Sequence, residues 1–156
     1  MIVVVMGVSG SGKSTIGEPL AGRLGWPFFD ADEFHPPENV AKMASGVPLT
    51  DADRWPWLAL LNAKLKGEKN AVLACSALKQ SYRDALATGL ADCRFVHLRG
   101  SIELIRARLA ERQHRYMPAS LLDSQFATLE PPLGAIDVDI AQAPAHCVDR
   151  IIASLG

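Results

Sequence analysis

The chain predicts a three-layer α/β fold: a five-stranded parallel sheet with helices on both faces. Three observations lead there. Short apolar segments at 2–6, 27–30, 71–75, 94–98 and 135–140 alternate with helix-patterned stretches, and strands separated by helices form parallel sheets covered on both sides. The first segment runs directly into Gly7-Val8-Ser9-Gly10-Ser11-Gly12-Lys13-Ser14, which matches G-x-x-x-x-G-K-[ST]. A helical pattern over 15–24 then follows, with Ile16, Leu20 and Leu24 at i, i+4 and i+8. Strand, glycine-rich loop and helix is the setting that makes this motif a phosphate-binding loop.

The loop carries its own chemistry. Gly7, Gly10 and Gly12 let the backbone come close to a ligand. Consecutive N–H groups form a nest for phosphate oxygens. The next helix aims its unpaired N–H groups and the positive end of its dipole at the same anion. Lys13 brings a mobile cation to the β- and γ-phosphates, and the Ser14 hydroxyl is placed for Mg²⁺. Residues Gly7, Val8, Ser9, Gly10, Ser11, Gly12, Lys13, Ser14 and Thr15 are therefore the expected ATP-binding loop.

Composition sets the frame. A chain of 156 residues with 49% hydrophobic content is long enough for one domain with a substantial core, and one domain over 1–156 is expected. Sixteen Lys and Arg against 17 Asp and Glu leave a net charge of −1. That balance offers no general attraction to nucleic acid or membrane. No apolar run approaches a membrane span, and no basic region precedes the first apolar segment, so neither anchor nor secretory leader is expected. Cys75, Cys93 and Cys147 are odd in number and far apart, which argues against a disulfide framework or a zinc site. Cys75 and Cys93 read as buried thiols, and a cytoplasmic location follows.

Polar clusters follow each strand, where ligands sit in sheets of this kind. After the second strand stand Asp30, Asp32 and His35. Asp32 is the candidate to orient and deprotonate an attacking hydroxyl. Asp30 is the candidate to hold a Mg²⁺-bound water; either carboxylate could instead cap the next helix. A short helix over 38–45 carries Lys42 and ends at Gly46. Thr50-Asp51-Ala52-Asp53 has the form of a capping box, but Pro56 points to a helix proper that begins near Trp55. Leu58, Leu61 and Leu65 are its core stripe, and Arg54 at its front is a candidate substrate cation.

After the third strand, Ser76 lies where small residues let a substrate approach the backbone. It is also placed to cap the next helix, whose first turns carry Lys79 and Arg83 at i, i+4. A helix over 102–113 buries Ile102, Ile105 and Leu109 and turns Arg108 and Arg112 outward, with Arg115 one turn on. Phosphoryl transfer spreads negative charge over the moving group, and arginines on a closing segment stabilise it. Residues 99–118 therefore read as a lid, with Arg108 and Arg112 catalytic. A second helix over 118–129 ends before Pro131-Pro132. The loop after the fifth strand, with Gln142, is the expected resting place of the adenine, and a terminal helix carries Cys147, Ile151 and Leu155.

Several blocks together resemble the gluconokinase family. They are the run Gly7 to Thr15, Asp30-Ala31-Asp32-x-x-His35-Pro36, Lys42-Met43-x-x-Gly46-x-Pro48-Leu49-Thr50-Asp51-x-Asp53-Arg54-x-Pro56-Trp57-Leu58, Ala74-Cys75-Ser76-Ala77-Leu78-Lys79-x-x-Tyr82-Arg83-Asp84, and Met117-Pro118-x-x-Leu121-Leu122-x-Ser124-Gln125-Phe126-x-x-Leu129-Glu130. The similarity runs from the first strand to Pro132. It implies a three-layer P-loop kinase fold close to those of shikimate kinases and nucleoside monophosphate kinases. It also implies transfer from ATP to D-gluconate with Mg²⁺, giving 6-phospho-D-gluconate and ADP, usually in a homodimer. Two departures stand out. Leu86-Ala87-Thr88 occupies a stretch where the family often has a second arginine, and His114-Arg115-Tyr116 replaces the usual Gly-His-Phe before Met-Pro.

Gluconate is a small carboxylate with many hydroxyls. Its site needs cations, polar groups and one carboxylate near the terminal hydroxyl. Asp32, His35, Lys42, Arg54, Ser76 and Arg83 supply that set. Two rivals have specific weaknesses. A kinase for another hydroxy acid such as shikimate would want a glycine-rich segment where Cys75-Ser76-Ala77 stands. A guanine-nucleotide switch would want Asp-x-x-Gly and Asn-Lys-x-Asp, which the sequence lacks. A non-catalytic nucleotide-binding module is the remaining alternative.

Overall fold

The computed structural model describes the backbone of residues 1–111 and 119–156, and the side chains of 1–111 and 122–156. The elements run β1 (Ile2–Met6), α1 (Lys13–Leu24), β2 (Phe28–Asp30), a one-turn 3₁₀ helix (Ala31–Phe34), α2 (Pro37–Ala44), α3 (Asp51–Lys66), β3 (Ala71–Ala74), α4 (Gln80–Ala87), β4 (Cys93–Arg99), α5 (Ile102–Glu111), α6 (Ala119–Thr128), β5 (Ile136–Asp139) and α7 (Pro144–Leu155). The five strands form one sheet in the order β2-β3-β1-β4-β5, and every pairing is parallel. All five expected strands are present, each within two residues of its expected limits.

β1 is the central strand, with Val4 opposite Leu73 on one side and Phe95 on the other. Successive side chains of a strand point to opposite faces, so its continuous apolar run feeds two cores. Val3 and Val5 join Val72, Val96, Leu98 and Val138 against Ile16 and Leu20 of α1 and Val148 and Ile151 of α7. Ile2, Val4 and Met6 join Leu73 against Leu58, Leu61 and Leu65 of α3 and Tyr82 and Leu86 of α4. Burial on both sides fixes the sheet, and because all strands are parallel each one ends at the same carboxyl edge.

Two helix starts differ from expectation by three residues or more. α3 begins at Asp51, not near Trp55. Thr50 Oγ1 accepts from the Asp53 N–H at 3.2 Å while the Asp53 carboxylate takes the Thr50 N–H at 2.8 Å. This reciprocal box holds the first turn, and Pro56 is accommodated inside the helix, where it costs the bond its missing N–H would have made. α4 begins at Gln80 with Lys79 in the capping position, so Ser76 does not cap it. Residues between Ser76 and Lys79 instead form a loop in which Ala77, fully buried, takes φ of 46°. A non-glycine residue in the left-handed region is strained and persists only where its surroundings hold it.

No helix among the described residues is long and apolar enough to cross a membrane. The three cysteines are free thiols, with Cys75 and Cys147 buried and Cys93 partly so. Burial pushes the Cys75 thiol up to about 12 and Cys93 to about 11, so both stay protonated and act as small core groups.

Candidate active site

The phosphate loop joins β1 to α1 at the carboxyl edge of the sheet. Gly10 has φ of 81°, and a Cβ there would lie 2.8 Å from Leu109 Cγ of α5. Position 10 therefore needs glycine twice over, for its backbone and for the close approach of the helix above it. Gly12 caps α1 with φ of 94° and leaves the first N–H groups of that helix directed into the loop. Ser11 Oγ is buried without a hydrogen-bond partner among the described residues. Lys13 Nζ lies back over the loop, donating to the carbonyls of Gly7 and Val8 at 3.1 Å each. Glycines, helix N-terminus and cation form one anion-binding curl.

The segment after β2 supplies the second half of the site. The Asp30 carboxylate accepts from the Asp32 N–H at 3.0 Å and so caps the 3₁₀ turn. That turn presents the Asp32 carboxylate to solvent, with 86% of the side chain exposed. His35 is its opposite. Its side chain is 4% exposed and stacks on Trp57, ring centres 4.2 Å apart. Trp57 in turn donates to the Ala31 carbonyl at 2.8 Å.

Asn39 settles the protonation of His35. Its Nδ2 donates to the Asp53 carbonyl at 3.0 Å and meets His35 Nδ1 at 3.2 Å. A carbonyl only accepts, so this end of the amide is the nitrogen, and Nδ1 must accept from it. The His35 proton therefore sits on Nε2, which faces the Asp32 carboxylate at 4.0 Å. Burial pulls the His35 pKa below its usual 6.5, against the raising effect of Asp32 and together with the lowering effect of Arg54. The ring is neutral at pH 7 and offers one N–H beside Asp32.

The expected cations are each engaged. Lys42 Nζ meets both Asp53 carboxylate oxygens, at 2.9 and 2.8 Å, and this bond with that from the Thr50 N–H holds Asp53 down at about 2. Arg54 donates to the Leu49 carbonyl at 2.8 Å. It lies 3.8 Å from Asp51 and 5.5 Å over the Tyr82 ring. Lys79 and the Tyr82 hydroxyl both bond Asp51. The result is an alternating array of charges along the front of α3 and α4.

Arg83 corrects an expectation. It is 2% exposed, and it donates to the carbonyls of Ala77 at 2.7 Å, Leu78 at 3.2 Å and Glu130 at 2.8 Å. Its remaining donors go to Gln80 Oε1. All five guanidinium N–H groups are thereby satisfied within the chain. Arg83 braces the strained loop after β3 and has no donor left for a substrate. The Ser76 carbonyl accepts from the Gly7 N–H at 3.3 Å, which ties this loop to the phosphate loop. Replacing Arg83 with Met should cost about 3 kcal/mol of stability, because three carbonyls lose a buried charged donor. Urea unfolding measures it, and a loss below about 1 kcal/mol would remove the bracing role.

On the far side of the sheet, Arg108 donates to the Ile140 carbonyl at the end of β5. This joins α5 to the loop that carries Gln142. Arg112 lies outside the described residues, as do His114, Arg115 and Tyr116. A cavity of about 390 Å³ between β4, β5, α5 and the segment 126–132 touches the phosphate loop only at Val8. None of the residues expected to hold a sugar acid lines it.

This arrangement has close relatives. The family model described as shikimate kinase matches residues 9–126. A gluconokinase of Gluconobacter oxydans (strain 621H) is 54% identical over 134 residues, covering 83% of this chain and 75% of that one. The chain belongs to the gluconokinase family. Thermoresistant gluconokinase of Escherichia coli (strain K12) is similar at 43% identity over 143 residues, 89% of this chain and 81% of that one. The crystal structure of a gluconokinase from Sinorhizobium meliloti 1021 matches with a TM-score of 0.91 at 48% identity, over 98% of this chain and 90% of that one. Against gluconokinases the match thus extends over more of the chain than the shikimate kinase model covers. As a member of a kinase family, the protein takes a nucleotide substrate.

Sequence reasoning gave no role to Asn39, or to Gln125 although it stands in a block that resembles the family. Asn39 is 3% exposed and links α2 to α3 through His35 and Asp53; a lone asparagine in a short helix gives no signal for that. Gln125 of α6 bonds Ser9 across a separation of 116 residues, which no local pattern reveals.

Proposed function

We propose that the protein transfers the γ-phosphoryl group of ATP to the terminal hydroxyl of D-gluconate, giving 6-phospho-D-gluconate and ADP. The observation that carries this reading is one sheet edge holding both a phosphate curl and the Asp32–His35–Lys42–Arg54 group in a chain of the gluconokinase family. The loop from Gly7 to Thr15 holds the triphosphate, with Lys13 on its outer phosphates. Asp32 accepts the hydroxyl proton and orients the oxygen toward phosphorus. The His35 Nε2–H stands 4.0 Å from that carboxylate and favours its charged form electrostatically. Lys42 and Arg54 exchange their present partners Asp53 and Asp51 for the gluconate carboxylate, and the Ser76 segment contacts the substrate. In this reading Arg108 leaves the Ile140 carbonyl to stabilise charge on the transferring group, and Gln142 contacts the adenine. Residues 99–118 act as the lid of a single domain.

The donors present suit Mg²⁺. Ser14 Oγ and Asp30 are hard oxygen groups, and no cluster of three or more His, Cys, Asp or Glu side chains among the described residues could hold a metal alone. Mg²⁺ is usually held through few side chains, water and substrate phosphates. Bound there, it would neutralise charge on the β- and γ-phosphates. A homodimer in the cytoplasm belongs to the same reading.

Phosphorus NMR of the product tests it. A phosphate on the terminal hydroxyl is attached through a CH₂ group and should appear as a triplet coupled to two protons. A doublet would place the phosphate on a secondary hydroxyl and contradict the assignment.

A further inference from the structure

Gln125 has no part in the reading above, yet its amide is committed at both ends to one residue of the phosphate loop. The Ser9 N–H donates to Gln125 Oε1 at 2.7 Å, and Gln125 Nε2 donates to Ser9 Oγ at 3.0 Å. A backbone N–H can only donate, so the amide oxygen must face it and the nitrogen must face the hydroxyl. With its oxygen accepting from Gln125, the Ser9 hydroxyl retains one proton to donate. The Ser9 N–H is thus taken by protein, as is the Ser11 N–H, which donates to the Val8 carbonyl at 3.2 Å.

The other end of α6 is also tied down. The Glu130 N–H donates to the Leu78 carbonyl at 2.8 Å. The Gln80 N–H donates to Glu130 Oε1 at 2.7 Å, and Arg83 holds the Glu130 carbonyl. Those bonds reach the strained loop after β3, whose Ser76 carbonyl takes the Gly7 N–H. The chain of contacts closes on itself, from Ser9 through Gln125 along α6 to Glu130, to the loop at 76–80, and back to Gly7.

We propose that Gln125 is a positioning residue for phosphoryl transfer. Its amide fixes the backbone of Ser9 and sets the Ser9 hydroxyl as a donor to the incoming triphosphate. α6 keeps that half of the phosphate loop in register with the loop at 76–80. The proposal rests on the phosphoryl-transfer reading, since a positioned donor matters most where charge grows on the phosphoryl oxygens.

Gln125→Met keeps length and bulk and removes both bonds. Its kcat should fall about tenfold, with the apparent KM for gluconate within about twofold of wild type. Amide exchange at Ser9 should quicken by at least about tenfold as its acceptor is lost. Gln125→Glu keeps the acceptor but loses the donor, so Ser9 exchange should stay slow while kcat still falls. Phe126→Leu, next to it in α6, controls for simple loosening of the helix. Wild-type kcat and wild-type Ser9 exchange in Gln125→Met would overturn the proposal. So would an equal loss of kcat in Phe126→Leu at matched melting temperature. If wild-type protein fails to phosphorylate gluconate, the functional reading falls. Ser9 exchange, measured with and without ATP, then still decides whether Gln125 fixes Ser9: protection that survives Gln125→Met overturns it.

Discussion

Asp32→Asn lowers kcat for gluconate phosphorylation by about a hundredfold or more, while ATP affinity stays within about twofold. The substitution keeps shape and removes only the charge and the ability to take a proton. Asp32 is the carboxylate that the 3₁₀ turn lifts to the sheet edge, its backbone N–H pinned by Asp30 at 3.0 Å. The neutral imidazole of His35, fixed by Asn39 and by stacking on Trp57, points its Nε2 at the Asp32 carboxylate. An asparagine there would still fill the space but could not receive the hydroxyl proton. The loop from Gly7 to Thr15, proposed above to hold the nucleotide, is left alone by this change. Steady-state kinetics together with calorimetric titration of ATP measures both quantities. A kcat within about threefold of wild type would take Asp32 out of the mechanism.

The second large effect is expected at Lys13. Lys13→Ala should reduce kcat/KM for ATP by about a thousandfold, at the upper end of what one preorganised donor contributes. Nζ lies across the mouth of the curl, held by the carbonyls of Gly7 and Val8, so little reorganisation separates it from a phosphate in the nest. A methyl group leaves the N–H groups of the loop in place and removes the mobile positive charge. The melting temperature should change little, because Lys13 stands at the partly exposed start of α1. A loss of less than about tenfold in kcat/KM would mean that the loop and metal alone carry the charge of the triphosphate.

Much of this architecture was legible in the chain because its signals are local. The valine run of β1, the glycines and Lys13, and the apolar stripes of α1 and α3 depend on neighbours within a turn or a strand, and the structure places them as expected. The capping box at Thr50 was legible too. Pro56 misled because the first-position rule ignores what a well-capped helix tolerates farther in; here the reciprocal bonds of Thr50 and Asp53 hold the first turn.

Arg83 shows the limit of local reading. Its i, i+4 spacing with Lys79 suggested a pair of exposed cations, but its fate is decided by the Glu130 carbonyl, 47 positions along the chain. Burial turned a presumed ligand into a brace for the loop at Ala77. Gln125 and Asn39 escaped for the same reason. Neutral amides leave no charge pattern or periodicity, and their partners lie across the fold.

The most direct measurement is ADP release with ATP and Mg²⁺, compared across gluconate, other aldonic acids, shikimate and nucleoside monophosphates at equal concentration. The structure predicts turnover on gluconate exceeding that on shikimate and on nucleoside monophosphates by at least about a hundredfold, since a site without its matching polar partners loses that much. Comparable or greater turnover on shikimate or a nucleotide, or none on gluconate with ATP still bound, would contradict it.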